Sequence, residues 1–133
     1  MMMYRRKVNP RVEYRLVRNE RINRSANLAD KFPHLKSLRV NVEYFDAFGV
    51  TRGGRMKYSI NVAHGKSVFC VNCTHPDCAE GDYELTEVLA EAIKRRRNLV
   101  EGEMRCQGTR WNKDRKEKSP CKSILRYKLT LAY

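Results

Sequence analysis

No stretch of the chain approaches the roughly 20 consecutive apolar residues of a membrane-spanning helix. The start, MMMYRRKVNP, is basic but has no apolar run behind it. Neither a secretory leader nor a helical membrane anchor is therefore expected. A reducing compartment, cytoplasmic or nucleoid/nuclear, follows as the default, with no membrane partner. Acidic residues are scarce: 15 Asp and Glu face 28 Lys and Arg, leaving a net charge of +13 in 133 residues. Such a surface repels its own kind and attracts polyanions, so RNA or DNA is the expected partner and an acidic protein the alternative. Signatures of catalysis are missing as well. There is no P-loop, no dinucleotide-binding glycine run and no supported Ser/His/Asp set, and the H-x-E with a later P-C-x-x-C of zinc deaminases is absent. Repeats and low-complexity segments are also lacking.

What is present suffices for one modest core, since 41% of the residues are hydrophobic and domains of roughly 100–150 residues are the commonest size. Residues 25–133 read as a single domain and residues 1–24 as a basic N-terminal arm. The arm carries Arg5, Arg6, Lys7, Arg11, Arg15, Arg18, Arg21 and Arg24 against only Glu13 and Glu20. Val12, Leu16 and Val17 fit a short, weakly amphipathic helix that needs a partner. Ser25 is placed to cap a short helix bearing Leu28, Ala29 and Phe32, which Pro33 ends.

The hydrophobic period then changes to two. Leu38, Val40, Val42 and Tyr44 alternate with polar residues, as do Met56, Tyr58, Ile60 and Val62 beyond a glycine-rich turn, predicting a hairpin. Ser67 to Cys73 reads as a third strand, Val100 to Cys106 as a fourth and Leu125 to Tyr133 as a fifth. Between the third and fourth, Leu85, Val88, Leu89, Ala92 and Ile93 follow a helical stripe. This predicts a helix over about Tyr83–Arg97 with Asp82 as its N-cap. Lys94 to Arg97 at its end are read as cations satisfying the last carbonyls. The expected fold class is α+β: an antiparallel sheet of about five strands with one main helix packed on one face.

In a reducing compartment, thiols point to metal ligation rather than to disulfides. Four cysteines form two pairs, Cys73-x4-Cys78 and Cys106-x14-Cys121, each straddling a turn between predicted elements, with the helix between the pairs reversing the chain. Four thiolates complete the tetrahedral shell of one structural zinc ion. The arrangement, over about residues 67–125, resembles a zinc ribbon, in which two knuckles at strand ends share one metal; its spacings are wider than the C-x2-C usual there. Cys70 offers a competing C-x2-C with Cys73, and His75 a competing ligand. Strand parity favours Cys73 with Cys78, because Cys70 lies inside the strand on the opposite face. On this reading Cys70 is a small buried hydrophobe and His75, beside Pro76, is exposed. Five metal-free core thiols are the bland alternative, and a redox C-x2-C is disfavoured because such sites prefer a helix N-terminus.

The loop closed by the second pair, Gln107 to Pro120, holds Arg110, Trp111, Lys113, Arg115, Lys116 and Lys118. A Trp among cations can stack on a base while its neighbours neutralise phosphates; equally, Trp111 can fold back over apolar surface. The arm, with Arg5, Arg6, Lys7, Arg11, Arg15 and Arg18, is the first phosphate-binding candidate and this loop the second. A metal-dependent hydrolase or nuclease using Glu80 is a distant third reading, because a catalytic zinc keeps an open position that four cysteines would close.

Overall fold

A computed structural model describes residues 10–112 and 116–133. Period-two alternation builds its main sheet. In β1 (Ser37–Phe45), Leu38, Val40, Val42 and Tyr44 are all buried while their neighbours face outward. β1 pairs with β2 (Thr51–Ile60) on one side and β9 (Ile124–Ala132) on the other, so that Val40 sits opposite both Tyr58 and Leu129. β6 (Leu99–Arg105) pairs with β9. The order is β2-β1-β9-β6, every pair antiparallel. The two inner strands line the core side of this sheet, with Leu125, Leu129 and Leu131 of β9 buried as well. At the tip of the β1–β2 hairpin, the Asp46 carboxylate accepts the N–H groups of Phe48 and Val50, each at 2.9 Å. Gly49 takes φ +85° there, a conformation that favours glycine.

α3 (Thr86–Lys94) lays Leu89, Ala92 and Ile93 against the core. The Tyr133 hydroxyl fastens the end of the chain to this helix, donating to the carbonyls of Ala92 (3.2 Å) and Arg97 (2.8 Å). The helix is shorter than its stripe predicts, and Asp82 is not its cap. Asp82–Glu84 form a strand, β5, paired with β3 (Cys70–Asn72). Leu85 fits the helical stripe, but it also alternates with Tyr83, and both are buried here, Tyr83 inside β5 and Leu85 just after it. The residue at the cap position is Leu85, with no side-chain cap bond.

The expected third strand also changes role. Only Cys70–Asn72 are extended in a ladder, and they join β5 rather than the main sheet. The preceding N–H groups are committed elsewhere: Ser67 to the Ala26 carbonyl, Val68 to the Ser25 hydroxyl and Phe69 to the Thr86 hydroxyl. A further small sheet has the order β4-β7-β8, formed by Cys78–Ala79, Thr109–Asn112 and Glu117–Pro120. Instead of one five-stranded sheet, the described residues therefore form one of four strands and two smaller ones.

At the N-terminal side, α1 (Pro10–Arg24) is a full 15-residue helix, longer than its apolar pattern suggests. Its first described residue, proline, is well suited to a first helical turn. Ser25 closes α1, its hydroxyl donating to the Ile22 carbonyl at 2.6 Å, rather than capping α2 (Leu28–Lys31). Among the described residues, no helix is long and apolar enough to cross a membrane.

Candidate metal centre and the basic surface around it

Each of the four paired cysteines sits just outside or at the end of a strand: Cys73 after β3, Cys78 opening β4, Cys106 after β6 and Cys121 after β8. The folds of these elements bring the four sulfurs within 4.8 Å of one another, and all four residues are buried. Cys73 Sγ lies 3.8 Å from Cys121 Sγ, and Cys78 Sγ 3.7 Å from Cys106 Sγ. A disulfide would need about 2.05 Å. A tetrahedral ion holding sulfur at about 2.3 Å sets the sulfurs about 3.8 Å apart, which is the spacing of both pairs. The cluster could hold one metal ion, and its donors are all thiols, the chemistry that suits zinc.

The surroundings are built for ionised sulfur. The Gly108 N–H donates to Cys106 Sγ at 3.3 Å, and the buried Ser123 hydroxyl lies 3.3 Å from Cys121 Sγ. Cys73 is held well below the ordinary thiol range by hydrogen bonds from Cys106 and Cys78, against the opposing effect of burial, with the His75 N–H assisting. Cys78 is pushed up, first by its bonds with Cys106 and Cys73 and then by burial. Cys106 is pushed up to about 12, chiefly by Cys73. Without a cation the cluster therefore keeps protons on part of its sulfur; four thiolates require a positive ion among them.

Two glycines make room for the sulfurs. A Cβ on Gly81 would collide with Cys78 Sγ and lie 2.6 Å from Cys106 Sγ. One on Gly108 would lie 2.8 Å from Cys78 Sγ. Neither residue was singled out by cysteine spacing, although a glycine three residues after Cys78 and another two after Cys106 were legible signals.

Cys70 stays outside the cluster. It is half-buried, 3.8 Å from Arg21 Nη2, and its thiol is pushed up to about 11 by burial and then by Asp82 and Glu84. His75 is buried rather than exposed. Its Nδ1 accepts the Asp77 N–H at 3.1 Å, while its carbonyl accepts from Arg11 and from the Cys78 N–H. The sequence gives no local hint of this, because Arg11 reaches it from 64 residues away.

Among the basic residues of α1, Arg11, Arg18 and Arg21 turn toward the rest of the chain, while Arg24 is exposed and pairs with Glu20 on the same helix. Arg11 Nε donates to the Cys78 carbonyl at 2.7 Å. The Tyr14 hydroxyl donates to Asp82 at 3.2 Å, and Arg18 reaches Asn72 (2.5 Å) and Asp82 (3.7 Å). Arg21 pairs with Glu84. Arg15 is half-buried, whereas Val12, Leu16 and Val17 stand exposed on the helix. Asp82 thus serves as the anchor of α1.

The segment expected as a loop, Gln107 to Pro120, contains the β7–β8 ribbon, with Trp111 opposite Lys118 and Arg110 opposite Ser119. Strand alternation separates Arg110 from Trp111. Arg110 turns inward to the Cys121 carbonyl at 2.5 Å and the Ser123 hydroxyl at 3.4 Å. Trp111 is 50% exposed, and Lys116 and Lys118 are exposed. Arg5, Arg6, Lys7, Lys113 and Arg115 lie outside the described residues.

Fold and site together define a mixed α/β protein with antiparallel sheets, one main helix on its core and a buried four-cysteine cluster able to hold a metal ion. Compared with known proteins, the chain matches no family model, no curated protein and no solved structure at a significant level of similarity.

Proposed function

We propose that the protein is a small zinc-stabilised module that binds RNA or DNA through phosphate contacts, alone or as a subunit of a nucleoprotein assembly. The observation that carries this reading is the net charge of +13 on a fold whose candidate metal site is lined by cysteine alone. Zinc in such a shell has no open position for a substrate or an activated water, so its role is to fix the surface around it. The module is thus a binder and not an enzyme, working in a reducing compartment that keeps its thiols available. Phosphate contacts of this kind give little base readout.

The test is binding of the metal-loaded protein to RNA and DNA across a salt series. Affinity should lie in the nanomolar-to-micromolar range at low salt. On duplex DNA, log K should fall against log salt with a slope of about −0.9 for each phosphate neutralised. Binding that is absent at low salt, or indifferent to salt, would sink the proposal.

One observation favours a second reading. Val12, Leu16 and Val17 are 49%, 62% and 65% exposed on α1, an apolar surface that suits an adaptor docking on an acidic protein partner. A pull-down that survives nuclease treatment would favour the adaptor; loss of the interaction after nuclease would count against it.

A further inference from the structure

We infer that the outer face of the β7–β8 ribbon and the hollow beside it form a binding site for single-stranded nucleic acid, with Trp111 as the stacking platform. This deepens the nucleic-acid reading and rests on it.

Alternation along the ribbon puts Thr109 and Trp111 of β7 on one face with Lys118 and Pro120 of β8, since Trp111 pairs with Lys118 and Thr109 with Pro120. The acid of the ribbon, Glu117, pairs with Asn112 and falls on the other face. Trp111 on the favoured face is 50% exposed. Thr109 and Pro120, one step along the same face, line an open hollow of about 670 Å³ together with Arg105, Gln107 and Lys122. That volume lies in the roughly 300–1,000 Å³ range of small-ligand sites. The order along the surface is thus two cations at the hollow, then threonine and proline, then an indole with a lysine opposite it.

One of the two cations is held in place. Arg105 donates through Nη1 to the Lys122 carbonyl at 3.1 Å and to the Ala47 carbonyl at 3.4 Å, which fixes its guanidinium at the hollow. Lys122 is exposed and occupies a left-handed backbone conformation, φ 55°. The Ala47 contact also sets the β1–β2 tip beside Arg105, and the next residue, Phe48, is 93% exposed. A fixed arginine, an exposed lysine and, one step further along the ribbon face, a half-exposed indole are the elements of a strand-binding groove: the cations take phosphate, and the ring takes a base whichever its identity. A base can reach that ring only when unpaired, which selects a single strand over a duplex.

Trp111 is the chain's one tryptophan, so its fluorescence reads the site directly. Full-length, metal-loaded protein is titrated at low salt with an oligothymidylate strand, an oligouridylate strand and a DNA duplex of equal length. The strands should quench the emission and the duplex should not. Trp111→Ala, at an exposed position, should weaken strand binding by about tenfold or more while circular dichroism and metal content stay unchanged. Lys122→Gln should flatten the salt slope by about 0.7. If the strands bind but neither quench Trp111 nor lose affinity in Trp111→Ala, this site is wrong and the broader phosphate-binding reading stands. Equal quenching by the duplex would also overturn the strand assignment. If no polynucleotide binds, both fail.

Discussion

Gly108 backs onto Gly81 so closely that a Cβ on Gly108 would lie 2.6 Å from the Gly81 Cα and 2.8 Å from the Gly81 nitrogen. Both glycines are buried, and both abut Cys78 Sγ. The two halves of the candidate metal centre therefore meet through bare backbone, and a methyl group at either position must push sulfur or main chain aside. Gly108→Ala and Gly81→Ala should each cost about 1–3 kcal/mol of stability, the usual range for overpacking a tight interior. Metal affinity should fall as well. Competition with a chromogenic chelator and thermal unfolding measure the two effects; wild-type values in both variants would mean that the sulfurs are not constrained by these contacts.

Removing a ligand should do far more. Structural zinc supplies on the order of 10 kcal/mol in small fingers, so Cys106→Ser should lose the bound metal and most of the domain's stability. Cys70, outside the cluster and half-buried, should tolerate serine with a loss near 1 kcal/mol, the common size of point-mutant effects. Elemental analysis and denaturant unfolding of the two variants decide it. Equal losses would mean that the four sulfurs are not acting as one ligand set.

Where period and burial agree along the chain, the sequence was readable: the alternating apolar residues of β1 and β9 and the stripe of α3 lie on the core as their spacing demands. The cysteine pairs were legible for a related reason, since each straddles a turn. Asp82 reads as a cap because Leu85 opens the helix stripe, although Leu85 equally continues a strand alternation from Tyr83. What decides between them is Tyr14 and Arg18, which bind Asp82 from 68 and 64 positions upstream. The apolar pattern understates α1 because its packed face is polar. Arg11, Tyr14, Arg18 and Arg21 recur at helical spacing, yet a search for apolar residues passes over them and finds only the exposed Val12, Leu16 and Val17.

That polar face ties α1 to the metal loop. Arg11 binds the carbonyls of His75 and Cys78, and the Cys78 N–H in turn binds the His75 carbonyl. A metal held by Cys73 and Cys78 would fix this loop, and with it the acceptors of Arg11. Chelation should therefore loosen α1 early, and trypsin should cut after Arg15 or Arg18 sooner in chelator-treated than in metal-loaded protein. Arg11→Ala should give faster cleavage even with metal bound, while leaving metal content unchanged. Cleavage rates that ignore the chelator would separate the helix from the site.

The remaining thiol should behave differently from the other four. Only the thiolate is nucleophilic, and Cys70 is raised to about 11 by burial and by the nearby Asp82 and Glu84. At pH 8 its ionised fraction is then on the order of one in a thousand, so alkylation should be slow and should quicken about tenfold per pH unit toward pH 11. Glu84→Gln removes an anion that raises this thiol and leaves Arg21, which lowers it, closer to the sulfur alone. The pH profile should shift to lower pH in that variant and to higher pH in Arg21→Ala. Mass spectrometry of iodoacetamide-treated, metal-loaded protein follows Cys70 separately from the clustered cysteines. A profile centred at the ordinary thiol value, unmoved by either substitution, would show that Glu84 and Arg21 do not set its reactivity.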